Sequence, residues 1–159
     1  MLSFTQLNLH KAVQATVLLG RELEGKTQSI ALLTEPHTVA GKITGMPKGT
    51  TAIYDKSIKN GQPGPRAGIV ASRDLGLTAV ENRCNRDCAV AIARIHGRRT
   101  LLASVYMDIH EDIAPAWLVD LIGMAKAKRL PLLLAMDSNA HSSLYGPDNN
   151  ARGLSLIQI

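Results

Sequence analysis

The chain has 159 residues, 45% of them hydrophobic and 19% charged, which fits one domain able to bury its own core and excludes an intrinsically disordered chain. Aromatic residues make up only 3%, which argues against a nucleic-acid platform built on a sheet of stacking rings. The formal net charge of +5 permits a polyanionic partner, while no apolar run reaches the length of a membrane span and the N-terminus lacks the charged-then-apolar pattern of a signal peptide.

In chain order, residues 4–9 read as a strand. Residues 11–23 read as an amphipathic helix, with Ala12, Thr16, Leu19 and Leu23 on one face and Val13 and Val17 beside it. Residues 29–35 form a buried-type strand ending in a carboxylate, Glu35. Residues 36–50 are a loop rich in Gly and Pro, and 51–54 a short strand. Residues 56–66 are a basic, turn-rich loop. Strands follow at 67–72, 88–95 and 99–106; both faces of the last are mostly apolar, as in a sheet covered on two sides. Residues 112–129 read as a helix with Asp112 as N-cap, Pro115 in the first turn, and Ile113, Trp117, Leu121 and Ala125 as its apolar stripe. Pro131 introduces a strand over 132–136 that ends at Asp137. Residues 150–159 open like a helix or strand. This alternation of strands and helices predicts a layered α/β domain over 1–159.

Glu35 and Asp137 stand where hydrophobic strands run out, the place where layered α/β folds hold ligands. A hard cation such as Mg²⁺ takes oxygen ligands from a few carboxylates and keeps several waters, so the two meet that need if their strands are neighbours; each alone also suits a strand end facing water. Asn8 interrupts an apolar strand, and Asn139 follows Asp137 by two positions, where, taken singly, a turn role suits it better. The histidines form no spaced metal motif, and Cys84 and Cys88 lack a second ligand pair. Two cysteines cannot build a disulfide framework, so a reducing compartment is expected. The order Lys48-Gly49-Thr50 is wrong for a phosphate loop, and there is no Gly-x-Ser-x-Gly elbow. Basic residues fall into two groups, Lys56, Lys59, Arg66 and Arg73, then Arg83, Arg86, Arg94, Arg98 and Arg99, suited equally to phosphate contact and to a solvated surface.

Together these segments resemble the endonuclease/exonuclease/phosphatase superfamily, and within it the apurinic-type endonuclease domain of non-LTR retrotransposons of the R1/jockey-like branch. Gln6-Leu7-Asn8-Leu9-His10 resembles its opening strand. Leu32-Leu33-Thr34-Glu35-Pro36-His37 resembles the strand with its metal-binding Glu. Arg66-Ala67-Gly68-Ile69-Val70 resembles the strand after the variable loop, and Ala103-Ser104-Val105-Tyr106 the strand bearing the active-site Tyr. Asp137-Ser138-Asn139-Ala140-His141, with Tyr145-Gly146, resembles the family's Asp-Phe-Asn-Ala-His block, and Arg152-Gly153 with Leu156 the start of the next helix. Met107-Asp108 depart from the family's Pro-rich segment.

The resemblance implies an α/β (α+β) fold, a four-layer sandwich of two packed mixed β-sheets flanked by helices. It also implies that the second sheet is incomplete, because the chain stops at Ile159 before the family's buried Asp and its terminal Ser-Asp-His. The implied activity is Mg²⁺-dependent nicking of double-stranded DNA, with Mn²⁺ as substitute, by an intracellular domain acting in the nucleus beside the reverse transcriptase domain of the same polyprotein. Glu35 is then the metal ligand; Asn8, Tyr106, Asp137 and Asn139 are catalytic; and Lys56, Lys59, Arg66 and His141 contact nucleic acid. The missing residues imply impaired activity for this chain. The alternatives are a non-catalytic nucleic-acid-binding module and a phosphoesterase acting on another substrate.

Overall fold

A computed structural model describes residues 1–112 and 114–140. The expectations that fall on Ile113, His141, Arg152, Gly153, Leu156 and the segment 150–159 lie outside the described residues.

Ten strands and two helices follow one another in the described residues: β1 (Ser3–Asn8), α1 (Val13–Leu23), β2 (Ser29–Thr34), β3 (Thr38–Val39), β4 (Lys42–Ile43), β5 (Thr50–Ile53), β6 (Ala67–Ser72), β7 (Thr78–Ala79), β8 (Cys88–Ile95), β9 (Arg98–Tyr106), α2 (Ala116–Ala127) and β10 (Leu132–Asp137). They make two four-stranded sheets, in the orders β1-β2-β6-β5 and β10-β9-β8-β7, and a small β3-β4 ladder. Each large sheet contains one parallel pair, β1 with β2 and β9 with β10, and antiparallel pairs otherwise. A parallel pair needs a crossover, and α1 and α2 supply them.

The alternation of the strands explains the layering. Ile30, Leu32, Ile69, Ala71, Ala89, Ala91, Ala93 and Leu102 face inward and form the core between the sheets. Many of them are alanines, so the sheets can approach closely. The opposite faces are covered by helices: Ala31, Leu33 and Val70 by Leu19 and Leu23 of α1, and Cys88, Val90, Leu101, Ala103 and Val105 by Leu118, Leu121 and Ala125 of α2. The result is an α+β sandwich of four layers. The Ser104 hydroxyl, buried in the seam, donates to the Leu33 carbonyl at 2.8 Å and ties the sheets together.

Three details depart from the sequence expectation. Val13 and Val17 are 48% and 38% exposed rather than packed. The buried stripe of α1 is Thr16, Leu19, Gly20 and Leu23, because the segment after β4 lies against the helix at Gly20. There a Cβ would stand 2.1 Å from the Gly45 carbonyl oxygen. The second helix begins at Ala116, with Pro115 as its extended N-cap and no cap from Asp112; the residue before a proline is biased away from helical backbone. The stretch 36–50 carries the β3-β4 ladder rather than a plain loop. The turn joining β8 to β9 is His96-Gly97, with φ of 48° and 76°, the paired left-handed values of a tight hairpin turn. Among the described residues no helix is long and apolar enough to cross a membrane.

Candidate active site

The carboxyl ends of both parallel pairs point to the same end of the sandwich. Asn8 closes β1, Glu35 follows β2, Tyr106 closes β9 and Asp137 closes β10. The registers align Asn8 with Thr34 and Asp137 with Tyr106. Through the inward faces of the strands, the two sheets therefore bring residues distant in sequence to one place.

Asn8 is the junction. Its Nδ2 donates to Glu35 Oε2 at 3.3 Å and to Asp137 Oδ2 at 2.6 Å. Its Oδ1 accepts the backbone N–H of His10 at 2.8 Å, which fixes the orientation of the amide and turns its NH₂ toward the two carboxylates. The two carboxylate oxygens share one donor, so they can be no farther apart than the sum of those two lengths. Asp137 Oδ1 accepts the Asn139 backbone N–H at 3.3 Å, and the Asn139 amide donates to the Met107 carbonyl at 2.8 Å. The Met107 N–H in turn donates to the Asp137 carbonyl at 2.9 Å, locking together the two chain segments that leave β9 and β10. The backbone around this junction is strained: His10, Lys11, Glu35 and Asn139 have φ of 47°, 57°, 47° and 48°, values rare for residues other than glycine and concentrated at functional sites.

A polar cleft of about 420 Å³ opens over the junction, lined by Gln6, Asn8, His10, Thr34, Asp137 and Asn139 among others. Glu35 stands just behind that lining and meets it through Asn8. Its carboxylate, only 17% exposed, has Lys11 Nζ at 3.5 Å and His10 Nδ1 at 3.9 Å. Two carboxylates in an open polar cleft fit a hard divalent ion that keeps most of its waters and completes its shell with substrate oxygens. Among the described residues no three His, Cys, Asp or Glu side chains converge, so the protein's share of such a shell would be Glu35 and Asp137.

A second cluster supports Tyr106. The Arg66 guanidinium lies 4.4 Å from the centre of the Tyr106 ring. It makes a two-point contact with Asp87, with Nη2 to Oδ2 at 2.7 Å, and donates through Nη1 to Asp108 Oδ2 at 2.7 Å. The hydrogen bonds it donates to Asp87 and Asp108 hold its pKa above the ordinary guanidinium value against the opposing effect of burial. The same contact, with the His110 N–H, lowers the Asp108 carboxyl. Arg66, expected as a nucleic-acid contact, thus has its charge balanced inside the protein. Lys56 and Lys59 are exposed on the segment between β5 and β6, which leaves and returns at the cleft end. Lys11, Asp87 and Asp108 were not among the expected residues. Asp87 immediately precedes β8 and Asp108 lies two positions beyond Tyr106; the pairing of Cys88 with Val105 brings them to Tyr106, and only that register could have revealed them.

No family model matches the chain, and no curated protein matches it. Among solved structures, the endonuclease domain of TRAS1, a telomere-specific non-LTR retrotransposon, is similar with a TM-score of 0.68 at 20% identity, over 98% of this chain and 67% of that one. At that identity the likeness shows the fold: two packed mixed sheets with flanking helices.

Proposed function

We propose that the chain is a DNA-nicking phosphodiesterase domain, an endonuclease of the non-LTR retrotransposon type and of the R1/jockey-like branch, working with Mg²⁺ or, in its place, Mn²⁺. The observation that carries this reading is the Asn8 amide, which gathers Glu35 and Asp137 from two different sheets at the carboxyl ends of their strands. The likeness to the TRAS1 endonuclease domain supports double-stranded DNA as the substrate class, and with it a nuclear site of action and a partner in the reverse transcriptase domain of the same polyprotein.

Glu35 and Asp137 would hold the divalent ion. When bound, the ion would neutralise charge on the phosphate and on the leaving oxygen. Asp137, facing the cleft, orients the attacking water. Asn8 keeps the carboxylates together against their mutual repulsion, and Asn139 fixes the backbone on which Asp137 sits. The Tyr106 hydroxyl donates to a phosphate oxygen as charge builds there. Arg66 acts as a positioning residue, clamping the Tyr106 ring through Asp87 and Asp108. Lys56 and Lys59, with His141, meet the flanking phosphates.

The test is nicking of supercoiled plasmid with Mg²⁺ or Mn²⁺ and with chelator, alongside Mn²⁺ binding by calorimetry. Nicking by the wild-type chain, lost with Glu35→Gln and Asp137→Asn together with weakened ion binding, is the expected result. The Lys11 ammonium beside Glu35 favours a second reading, a nucleic-acid-binding module that does not cleave. Salt-dependent DNA binding with no ion binding and no nicking would establish that reading and overturn the first.

A further inference from the structure

The second basic group of the sequence is split by the fold. Arg83 and Arg86 precede β8 and lie at the cleft end. Arg94 and Arg99 lie at the opposite pole, where the β8-β9 hairpin turns. They are direct register partners, so their side chains stand on the same face of the sheet. Alternation identifies that face: Cys88, Val90 and Ile92 on β8, and Leu101, Ala103 and Val105 on β9, all pack toward α2. Arg94 and Arg99 continue those two rows past the end of the helix.

The helix adds to them. It follows β9, which ends at the cleft, and precedes β10, which starts at the far pole, so its C-terminus comes down beside the two arginines. There the chain presents Lys126, Lys128 and Arg129. The next strand begins alongside, with Leu132 paired to Leu101 and the Leu101 N–H donating to the Pro131 carbonyl at 2.8 Å; Arg129 therefore lies next to the start of β9. All five cations are exposed, and among the described residues none is within an ion pair. Of the acidic side chains of that same layer, Asp108, Glu111 and Asp112 lie at its cleft end and Asp120 lies within α2; Asp74, from the segment after β6, lines a pocket with Arg94 but makes no ion pair with it.

Complementing the helix dipole accounts for Lys126 alone, since that effect fades beyond the last turn. It does not account for Arg94 facing Arg99, a like-charge cross-strand pair that costs stability in the free protein. An anion with repeated charges removes that cost, and guanidinium groups suit phosphate in particular. We propose that this pole is a second binding surface for a nucleic-acid phosphate backbone. The nine residues of β9 span roughly 25 Å, so a duplex seated in the cleft does not reach it without bending. The surface then holds a separate strand or segment, and it does so whether or not the cleft cleaves.

The test is fluorescence-anisotropy binding of 30-nucleotide single-stranded DNA, RNA of the same length and a 30-base-pair duplex, over a series of salt concentrations. The proteins are the wild-type chain, Arg94→Gln/Arg99→Gln/Arg129→Gln and the charge-preserving Arg94→Lys/Arg99→Lys/Arg129→Lys. Loss of about three phosphate contacts predicts a salt slope shallower by about 2 and binding weaker by about 10–100-fold near 0.1 M salt, on at least one polymer. The polymer most affected identifies the natural one. The lysine variant should recover most of the binding. Equal affinities and slopes for wild type and glutamine variant on all three polymers would overturn the proposal.

Discussion

At the scale of single residues the cleft depends on one amide. Asn8 donates both of its N–H groups to carboxylates, and bonds of this charge-assisted kind contribute about 1.5–3 kcal/mol each where water is excluded. In this open cleft the lower end applies. Asn8→Ala should therefore destabilise the protein by about 1–2 kcal/mol and slow nicking by at least about 10², read by denaturant unfolding and by the plasmid assay. A loss of less than threefold in rate would remove Asn8 from the catalytic group. Glu35, Asp137 and Asn8 stood out in the sequence because polar side chains end or interrupt apolar strands. Lys11, Asp87 and Asp108 did not, because what they contact is set by which strands become neighbours. Charge pattern along the chain carries no such information.

At the scale of elements, dense apolar runs fixed their own limits: the strands at 67–72 and 88–95 were readable to the residue. Two-residue ladders such as β3, β4 and β7 have no period to read and were missed. The buried face of α1 was legible at Thr16, Leu19 and Leu23. Gly20 on that face was not, because hydrophobic periodicity reports which side of a helix is apolar and not where another backbone passes against it. Gly20→Ala pushes a methyl group onto the Gly45 carbonyl. We expect it to cost at least about 2 kcal/mol and to lower Tm by roughly 4–8 °C, measured by thermal melting. An unchanged Tm would show that α1 and the 36–49 segment part freely.

At the scale of the whole molecule, a layered α/β domain was legible as a class from alternating strands and helices with both faces of β9 apolar, and the two-sheet sandwich only through the family resemblance. Which strands share a sheet was not, since both sheets use the same short Val, Leu and Ala runs. Burial between sheet and helix leaves one titrating mark. The Cys88 thiol is pushed from 9.0 up to about 12, first by desolvation and then by Cys84 and Asp87; Cys84 is raised as well, chiefly by its own burial. A thiol whose pKa is higher folded than unfolded contributes its stability in full below the unfolded value and loses it as pH climbs from there to the folded value. Tm should fall between about pH 9 and pH 12, more steeply in wild type than in Cys88→Ala. Parallel curves would exclude the thiol as the cause.

The partners of the Asn8 amide lie 27 and 129 positions further along the chain. During translation, at about 5–20 residues per second, Asn8 leaves the ribosome on the order of ten seconds before Asp137 is even joined. For that interval the growing polypeptide holds one carboxylate and lacks the other, and the Asn8 junction on which the proposed activity depends cannot close before β10 has been made.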